Sequence, residues 1–265
     1  MKKFGFIGTG NMAGALILAA EKSKTEKEFL LSDIIPEKAE ALAKKVHGKV
    51  SDNKTVAREA DYIFLGIKPQ MLCDVAKEIT PILMERKDRF VLVSMLAAYT
   101  CERINEALEG DYPLIRIMPN TPVSVGEGMI LYAPNEKATE EELSFFLSSF
   151  SEAGRFSNLP EKLMDAGASV AGCGPAFVDL FTEALADGGV ACGLPRAKAL
   201  EFAAQMILGS AKLILESEKH PGQLKDEVCS PGGTTIQGVR ALEKGGFRSA
   251  VTEAVIAAYE KNFEL

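Results

Sequence analysis

Residues 3–22, K-F-G-F-I-G-T-G-N-M-A-G-A-L-I-L-A-A-E-K, pass from a short apolar run through a glycine-rich turn into a helix-forming segment. The run Lys3–Ile7 is almost continuously apolar, as expected of a strand buried on both faces of a parallel sheet. The turn reads G-x-G-x-x-A, with Gly8, Gly10 and Ala13 at the small positions. In this pattern the first glycine allows a tight turn. The second lets a pyrophosphate approach the backbone, and the third small residue lets helix pack on strand. Gly8, Thr9, Gly10, Asn11, Met12 and Ala13 are therefore candidate dinucleotide contacts. A glycine turn with no ligand is the competing reading; the strand before and the helix from Ala15 to Lys22 after it weigh against that.

Working outward, Phe29–Asp33 reads as a second strand, with Asp33 where an acid that binds the adenosine ribose is expected. A carboxylate there accepts from a 2′-hydroxyl and repels a 2′-phosphate, and Ile34-Ile35-Pro36 supplies no arginine. On that ground NADH is expected to be at least tolerated. The alternative is a loop aspartate that only solubilises the turn. Helices are expected at Pro36–Val46, with proline in the first turn, around Lys54–Glu59 behind a polar cap, at Met71–Leu83 and at Cys101–Leu108. Strands alternate with them at Tyr62–Ile67, Phe90–Met95, Leu114–Met118, Gly128–Tyr132 and Arg155–Leu159. Thr139-Glu140-Glu141-Glu142 is a capping box for a helix to Phe150. Repeated strand–helix units with apolar strands indicate a Rossmann-like, doubly wound, mostly parallel sheet. Its ligand edge lies off the carboxyl ends of the strands, which places Lys68, Pro69, Ala97 and residues 119–122 there.

From Pro160 onward strands vanish and helices take over, so the chain divides into a dinucleotide-binding domain, 1–159, and an all-α domain, 160–265. Gly172–Ala176 breaks one helix and starts the next, which runs to about Ala191. Leu194-Pro195 opens a helix of roughly twenty residues with proline at its first position. That helix is apolar on most sides, from Ala199 through Phe202 and Met206 to Ile214. A helix with so little polar face has to be surrounded. A homodimer with interleaved helices is the expectation, and a monomeric bundle with a central helix the alternative.

The composition bounds the function. In 265 residues, 47% are hydrophobic and 25% charged, which describes a folded chain long enough for two cores. A net charge of −7 argues against nucleic acid or an anionic membrane as partner. No apolar segment approaches the roughly 20 residues of a membrane span, and no secretory signal precedes the first strand. The five cysteines are scattered and never spaced C-x-x-C, which suggests reduced thiols in a cytoplasm. With only two histidines, far apart, neither a metal site nor a histidine-based triad is expected.

Residues 221–240, P-G-Q-L-K-D-E-V-C-S-P-G-G-T-T-I-Q-G-V-R, hold a second candidate site. Ser230, Gly232, Gly233, Thr234 and Thr235 form a small-residue loop where helical periodicity resumes at Ile236. Glycines let the backbone approach a ligand, and the N–H groups opening a helix attract anions. The loop reads as a socket for a small carboxylate, with the threonines as donors. An ordinary glycine turn capped by threonine fits it equally well.

With both halves laid out, the chain resembles the pyrroline-5-carboxylate reductase family nearly end to end. The likeness is carried by F-I-G-T-G-N-M-A at the start, I-K-P-Q at Ile67–Gln70 and R-I-M-P-N-T-P at Arg116–Pro122. It continues in G-C-G-P-A at Gly172–Ala176 and, above all, H-P-G-Q-L-K-D-E-V-C-S-P-G-G-T-T-I at His220–Ile236. The resemblance implies reduction of the cyclic imine to proline with NADPH or NADH, in dimers that assemble further. It also implies cofactor contacts at Gly8, Gly10, Asn11, Met12, Asn53, Ile67 and Lys68, and substrate contacts at Glu161, Glu218, Thr234 and Thr235. Thr235, helped by water on Glu218, would hydrogen-bond the ring nitrogen. Glu218 reads equally as an exposed loop charge, and Glu161 as an acid at a helix N-terminus. The chain departs from the family in S-M-L-A-A-Y at Ser94–Tyr99, where members tend to read S-I-A-A-G, and in Glu227, which replaces a small polar residue. A β-hydroxyacid dehydrogenase of the same two-domain plan is the nearest competitor. The helix after the boundary, Pro175–Asp179, lacks the lysine those enzymes carry. A dinucleotide-sensing regulator would leave the 230–235 loop unexplained.

Overall fold

The computed structural model describes residues 1–264, which form two compact units. The first comprises Met1–Gly172 with residues 259–264. Its order is β1 (Lys2–Ile7), α1 (Asn11–Lys22), β2 (Lys27–Ser32), α2 (Pro36–Val46), β3 (Lys49–Val50), α3 (Asn53–Glu59) and β4 (Tyr62–Leu65). There follow α4 (Leu72–Glu85), β5 (Val91–Ser94), α5 (Cys101–Ala107), β6 (Leu114–Met118), β7 (Gly128–Pro134), α6 (Glu140–Ser149), β8 (Gly154–Asn158) and α7 (Met164–Ala171). The eight strands make one sheet in the order β3-β2-β1-β4-β5-β6-β7-β8, parallel throughout except where β6 meets β7.

Strand residues alternate between two cores, as a period of two requires. Phe4, Phe6, Phe29, Leu31, Phe64, Val91, Val93, Ile115 and Ile117 pack on one face with residues of α1, α2 and α6. Ile7, Leu30, Ile63, Leu65, Leu92 and Leu114 pack on the other with residues of α3, α4 and α5. Burial on both faces is why the strands read as apolar runs without alternation. Phe6 stacks on Phe64 at 4.1 Å between ring centroids, and Phe4 on Phe150 at 5.7 Å. At α6 the capping box is complete: Thr139 Oγ1 accepts from the Glu142 N–H, and the Glu142 carboxylate accepts from the Thr139 N–H. Because β2 lies on one side of β1 and β4 on the other, strand order reverses at β1. The crevice for a ligand opens there, beyond Ile7 and Leu65.

The second unit, Cys173–Ala258, is helical. It contains α8 (Gly174–Ala191), α9 (Arg196–Ser217), α10 (Pro221–Val228), α11 (Thr234–Lys244) and most of α12 (Phe247–Lys261). The two helices α8 and α9 form the main antiparallel contact around buried Ala186, Ala199 and Ala203. Pro195 caps α9 and does not occupy its first helical position. The helix α10 is not among the expected helices; the imidazole of His220 caps it by accepting from the Gly222 N–H at 3.0 Å. Among the described residues no helix is long and apolar enough to cross a membrane.

The change of composition at Pro160 and the division into units differ by one helix. Met164 of α7 is buried against Leu131 and Ala133 of β7. Asn120 donates to the Ala171 carbonyl at 2.9 Å, and Arg116 binds Asp165. These contacts tie α7 to the sheet, so the first unit extends to Gly172.

Candidate active site

The glycine turn after β1 is built from the backbone outward. Gly8 has φ +94°, donates to the Ser32 carbonyl at 2.8 Å, and a Cβ there would lie 2.5 Å from the Gly66 carbonyl oxygen. Only glycine fits this position. Gly10 differs. It caps α1 in ordinary extended geometry, with φ −63° and no side-chain cap, and a Cβ there would meet no protein atom within 4 Å. The fold does not require glycine at 10, and the open space beside it leaves the first-turn amides of α1 accessible to a ligand. The helix begins at Asn11, four residues earlier than its strong formers suggest, because residues 11–14 of the glycine turn are themselves its first turn. Ala13 is buried, and a Cβ on Gly66 would lie 3.0 Å from the Ala13 Cβ. That is the close packing its place in the motif implies.

Asp33 holds the turn. Its Oδ2 accepts from the Thr9 N–H at 2.7 Å and the Thr9 hydroxyl at 2.9 Å, and its Oδ1 accepts from the Ile35 N–H at 2.9 Å. Burial alone would raise this carboxyl. The donors on Ile35 and Thr9, with the charge of Lys38, outweigh burial and hold it below the usual aspartate range. Behind it runs a chain the sequence did not disclose. The Ser32 hydroxyl donates to Asn53 Oδ1, and Asn53 Nδ2 donates to Glu78, both at 2.7 Å. Asp74 and Glu78, four apart on α4, both face the crevice; that i, i+4 spacing was the available signal.

Two cavities open at this edge. One, of about 680 Å³, is lined by Gly8, Gly10, Asp33, Asn53, Ile67 and Lys68 among others. The second, of about 280 Å³, is lined by Gly10, Asn11, Met12, Ala13, Ile67 and Lys68, with Met95, Met118 and Pro119. They share Gly10, Gly66, Ile67 and Lys68, so one extended molecule can run from Asp33 past the start of α1 to Met118. Thr9 turns its hydroxyl inward to Asp33, Pro69 opens the turn that follows Lys68, and Ala97 lies outside the lining of both cavities.

On β6, Arg116 is 1% exposed. Its Nη2 donates to Asp165 at 2.6 Å and its Nη1 is 3.8 Å from Glu161, while its Nε finds no partner. Glu161 Oε1 also accepts from the Cys101 N–H at 2.7 Å, at the start of α5. Burial and then the Glu161 carboxylate push the Cys101 thiol up to about 12. Glu161 thus belongs to the sheet unit as an acid on a helix N-terminus. Removing one partner of a buried pair costs about 3–5 kcal/mol, and Asp165 is itself partly exposed. The variant Asp165→Ala is therefore expected at the lower end, about 3 kcal/mol, read as a shift in the urea midpoint.

In the helical unit the 230–235 loop is a tight turn, with the Gly233 N–H on the Ser230 carbonyl at 3.0 Å and Gly232 at φ +70°. A Cβ on Gly233 would lie 2.4 Å from Ser230 Oγ. Gly233 caps α11 with no side-chain cap, and the first-turn amides of Thr234, Thr235 and Ile236 have no intrahelical acceptor. Thr234 and Thr235 are exposed at this helix start. Glu218 lies at the opposite end of α10, exposed, in left-handed geometry at φ +56°. Beside it, Lys219 pairs with Glu227 at 2.8 Å. Among the described residues no cluster of side chains suits a metal ion.

Residues 161–265 match the family model described as pyrroline-5-carboxylate reductase dimerisation, and residues 3–98 one described as NADP oxidoreductase, coenzyme F420-dependent. The chain is 44% identical to the pyrroline-5-carboxylate reductase of Synechocystis over 266 residues, covering 99% of this chain and 98% of that one. It belongs to the pyrroline-5-carboxylate reductase family. The fold agrees along its whole length. The Streptococcus pyogenes 1-pyrroline-5-carboxylate reductase superposes with a TM-score of 0.89 at 31% identity, covering 100% of this chain and 99% of that one. The Plasmodium falciparum pyrroline carboxylate reductase with NADP bound gives 0.88 at 31% identity, covering 98% and 97%. Membership settles the choice against a β-hydroxyacid dehydrogenase. A Mycobacterium tuberculosis 3-hydroxyisobutyrate dehydrogenase shares the fold alone, at 12% identity.

Proposed function

We propose that the chain reduces 1-pyrroline-5-carboxylate to L-proline with NADH or NADPH. The observation that carries this is the 44% identity to a pyrroline-5-carboxylate reductase across the whole chain, which takes in both the cofactor edge and the 230–235 loop. The residues fit a dinucleotide: a glycine at 10 that the fold does not require, bare amides at α1, and two cavities joined at Gly10. Asp33 and Asn53 lie at the adenosine end, Gly8–Ala13 at the pyrophosphate, and Ile67, Lys68 and Pro69 beyond, with Ala97 in the next loop.

When bound, NAD(P)H supplies the hydride. The chain's own residues bind and orient the imine. The substrate carboxylate sits on the first-turn amides of α11, where aligned N–H groups favour an anion. Ser230, Gly232 and Gly233 shape that socket, and the Thr234 hydroxyl adds a donor. The Thr235 hydroxyl hydrogen-bonds the ring nitrogen as the C=N π pair becomes a nitrogen lone pair. Glu218 acts through water, and Glu161 is a further candidate contact. A protonated imine is already electrophilic at carbon, so orientation and closeness supply most of the acceleration.

The helical unit requires partners. Leu180, Phe202, Met206, Leu208, Leu213 and Leu215 are exposed large hydrophobic residues. Gly188, Gly209 and Gly238, inside helices, would carry a Cβ into open space, although glycine there costs about 0.5–1 kcal/mol relative to alanine. A second copy with interleaved helices would cover these faces. The chain of 28.5 kDa is expected to elute in light-scattering chromatography at twice that mass or a multiple. The paired change Phe202→Glu and Leu208→Glu is expected to give monomers without activity. The working compartment is the cytoplasm, where Cys73, Cys101, Cys173, Cys192 and Cys229, all free here, stay reduced.

The test is steady-state oxidation of each nicotinamide cofactor in the presence of pyrroline-5-carboxylate. Turnover with at least one is expected; none with either would refute the reading.

A further inference from the structure

We propose that this chain discriminates at the adenosine 2′-position in favour of NADH, and that Asp33 with the apolar segment behind it is the discriminator. The inference rests on the reductase reading and deepens it. It starts from the larger cavity, which carries the carboxylates of Asp33, Asp52, Asp74 and Glu78 against the two lysines Lys38 and Lys68. A 2′-phosphate would add a charge of about −1.5 to −2 to a wall that is already acidic. It would also add acceptor oxygens where the nearest group, Asp33, can only accept.

The segment that follows Asp33 is short of donors for a phosphate. The segment after Asp33 reads Ile34-Ile35-Pro36, which offers no side-chain donor; Pro36 has no N–H, and the Ile35 N–H already serves Asp33. Lys38 is a cation on the same cavity wall, and its charge acts on Asp33 as well as on any phosphate. A hydroxyl fits better. Asp33 Oδ2 is occupied by two donors from Thr9, while Oδ1 has one bond from Ile35 and a lone pair left. The ribose 2′-hydroxyl can donate to that oxygen. Ile34, 81% exposed, and Val50, 48% exposed, line the same cavity and offer apolar faces to a purine ring.

Calorimetric titration of the full chain at low salt, with NAD⁺, NADP⁺, 5′-AMP and adenosine 2′,5′-bisphosphate, reads the discrimination without turnover. The 2′-hydroxyl member of each pair is expected to bind at least tenfold tighter, and kcat/KM for NADH to exceed that for NADPH by a similar factor. Ile34→Arg, which leaves every Asp33 hydrogen bond in place, is expected to raise NADP⁺ affinity severalfold. Combined with Asp33→Ser it should reverse the preference; if the double variant unfolds, the single one decides. Equal or tighter binding of NADP⁺ and the bisphosphate by the unaltered chain would overturn the proposal. Discrimination in the titrations with no imine reduction by either cofactor would instead sink the reductase reading and leave this one standing.

Discussion

Thr235→Val is expected to lower kcat by about 10²-fold or more while dinucleotide affinity stays unchanged. The side chain is exposed at the first turn of α11 and caps nothing, since the cap is Gly233. Valine keeps its shape and removes only the hydroxyl, so folding should not respond. The loss falls on a hydrogen bond that strengthens as the ring nitrogen gains its lone pair, and such donors are worth about 10²–10³ in kcat. That range corresponds to about 2.7–4 kcal/mol of barrier. Thr235→Ser, which restores the hydroxyl, should recover most of the rate. A fall in affinity for substrate with kcat intact would instead make Thr235 a ground-state contact, and an unchanged kcat would remove it from the chemistry. Thr234→Val is the companion measurement: its hydroxyl is proposed to serve the carboxylate, so its loss should raise KM more than it lowers kcat.

The sheet was legible in the sequence because its strands are buried on both faces and its turns are written in glycine and proline. Residues such as Phe4, Phe6, Ile63 and Phe64 leave no other reading of their segments, and the fingerprint at Gly8–Ala13 fixes where the ligand edge begins. The network behind that edge was not legible. Nothing local in Ser32, Asn53 or Glu78 announces that three separate elements place Ser32 and Glu78 each at 2.7 Å from the Asn53 side chain. Asp33 was recognised by position, but its grip on Thr9 needs the turn to be folded first. The helix α10 was hidden because Pro221 and Gly222 are turn formers, and a histidine cap is not among the preferred residues. Glu161 illustrates a different limit. Its place before a helix suggested an acid on that helix's own N-terminus, whereas its carboxylate reaches the N-terminus of α5, 60 positions earlier. Sequence adjacency identified the kind of interaction and missed its partner.

The two glycines of the turn should separate folding from cofactor binding. Gly8→Ala puts a side chain at φ +94°, where the Cβ would lie 2.5 Å from a backbone oxygen of Gly66. Backbone strain of this kind costs about 1–3 kcal/mol alone, and a rigid carbonyl cannot move aside as a flexible side chain would. The variant should lose at least about 3 kcal/mol once the clash is added to the strain, with the junction of β1 and β4 opened and activity lost along with the fold. Gly10→Val makes the opposite case. Its φ of −63° suits any residue, and no atom lies within 4 Å of the new Cβ. Its melting temperature should therefore stay within about 2 °C of the unaltered chain. The added side chain, however, projects over the amides of α1, and it should weaken dinucleotide binding by at least about 10²-fold, some 2.7 kcal/mol. Calorimetric titration and thermal unfolding of the two variants check both halves. A Gly10→Val protein that binds dinucleotide normally would show that the phosphates do not cross the start of α1, and the path drawn from Asp33 to Met118 would have to be abandoned.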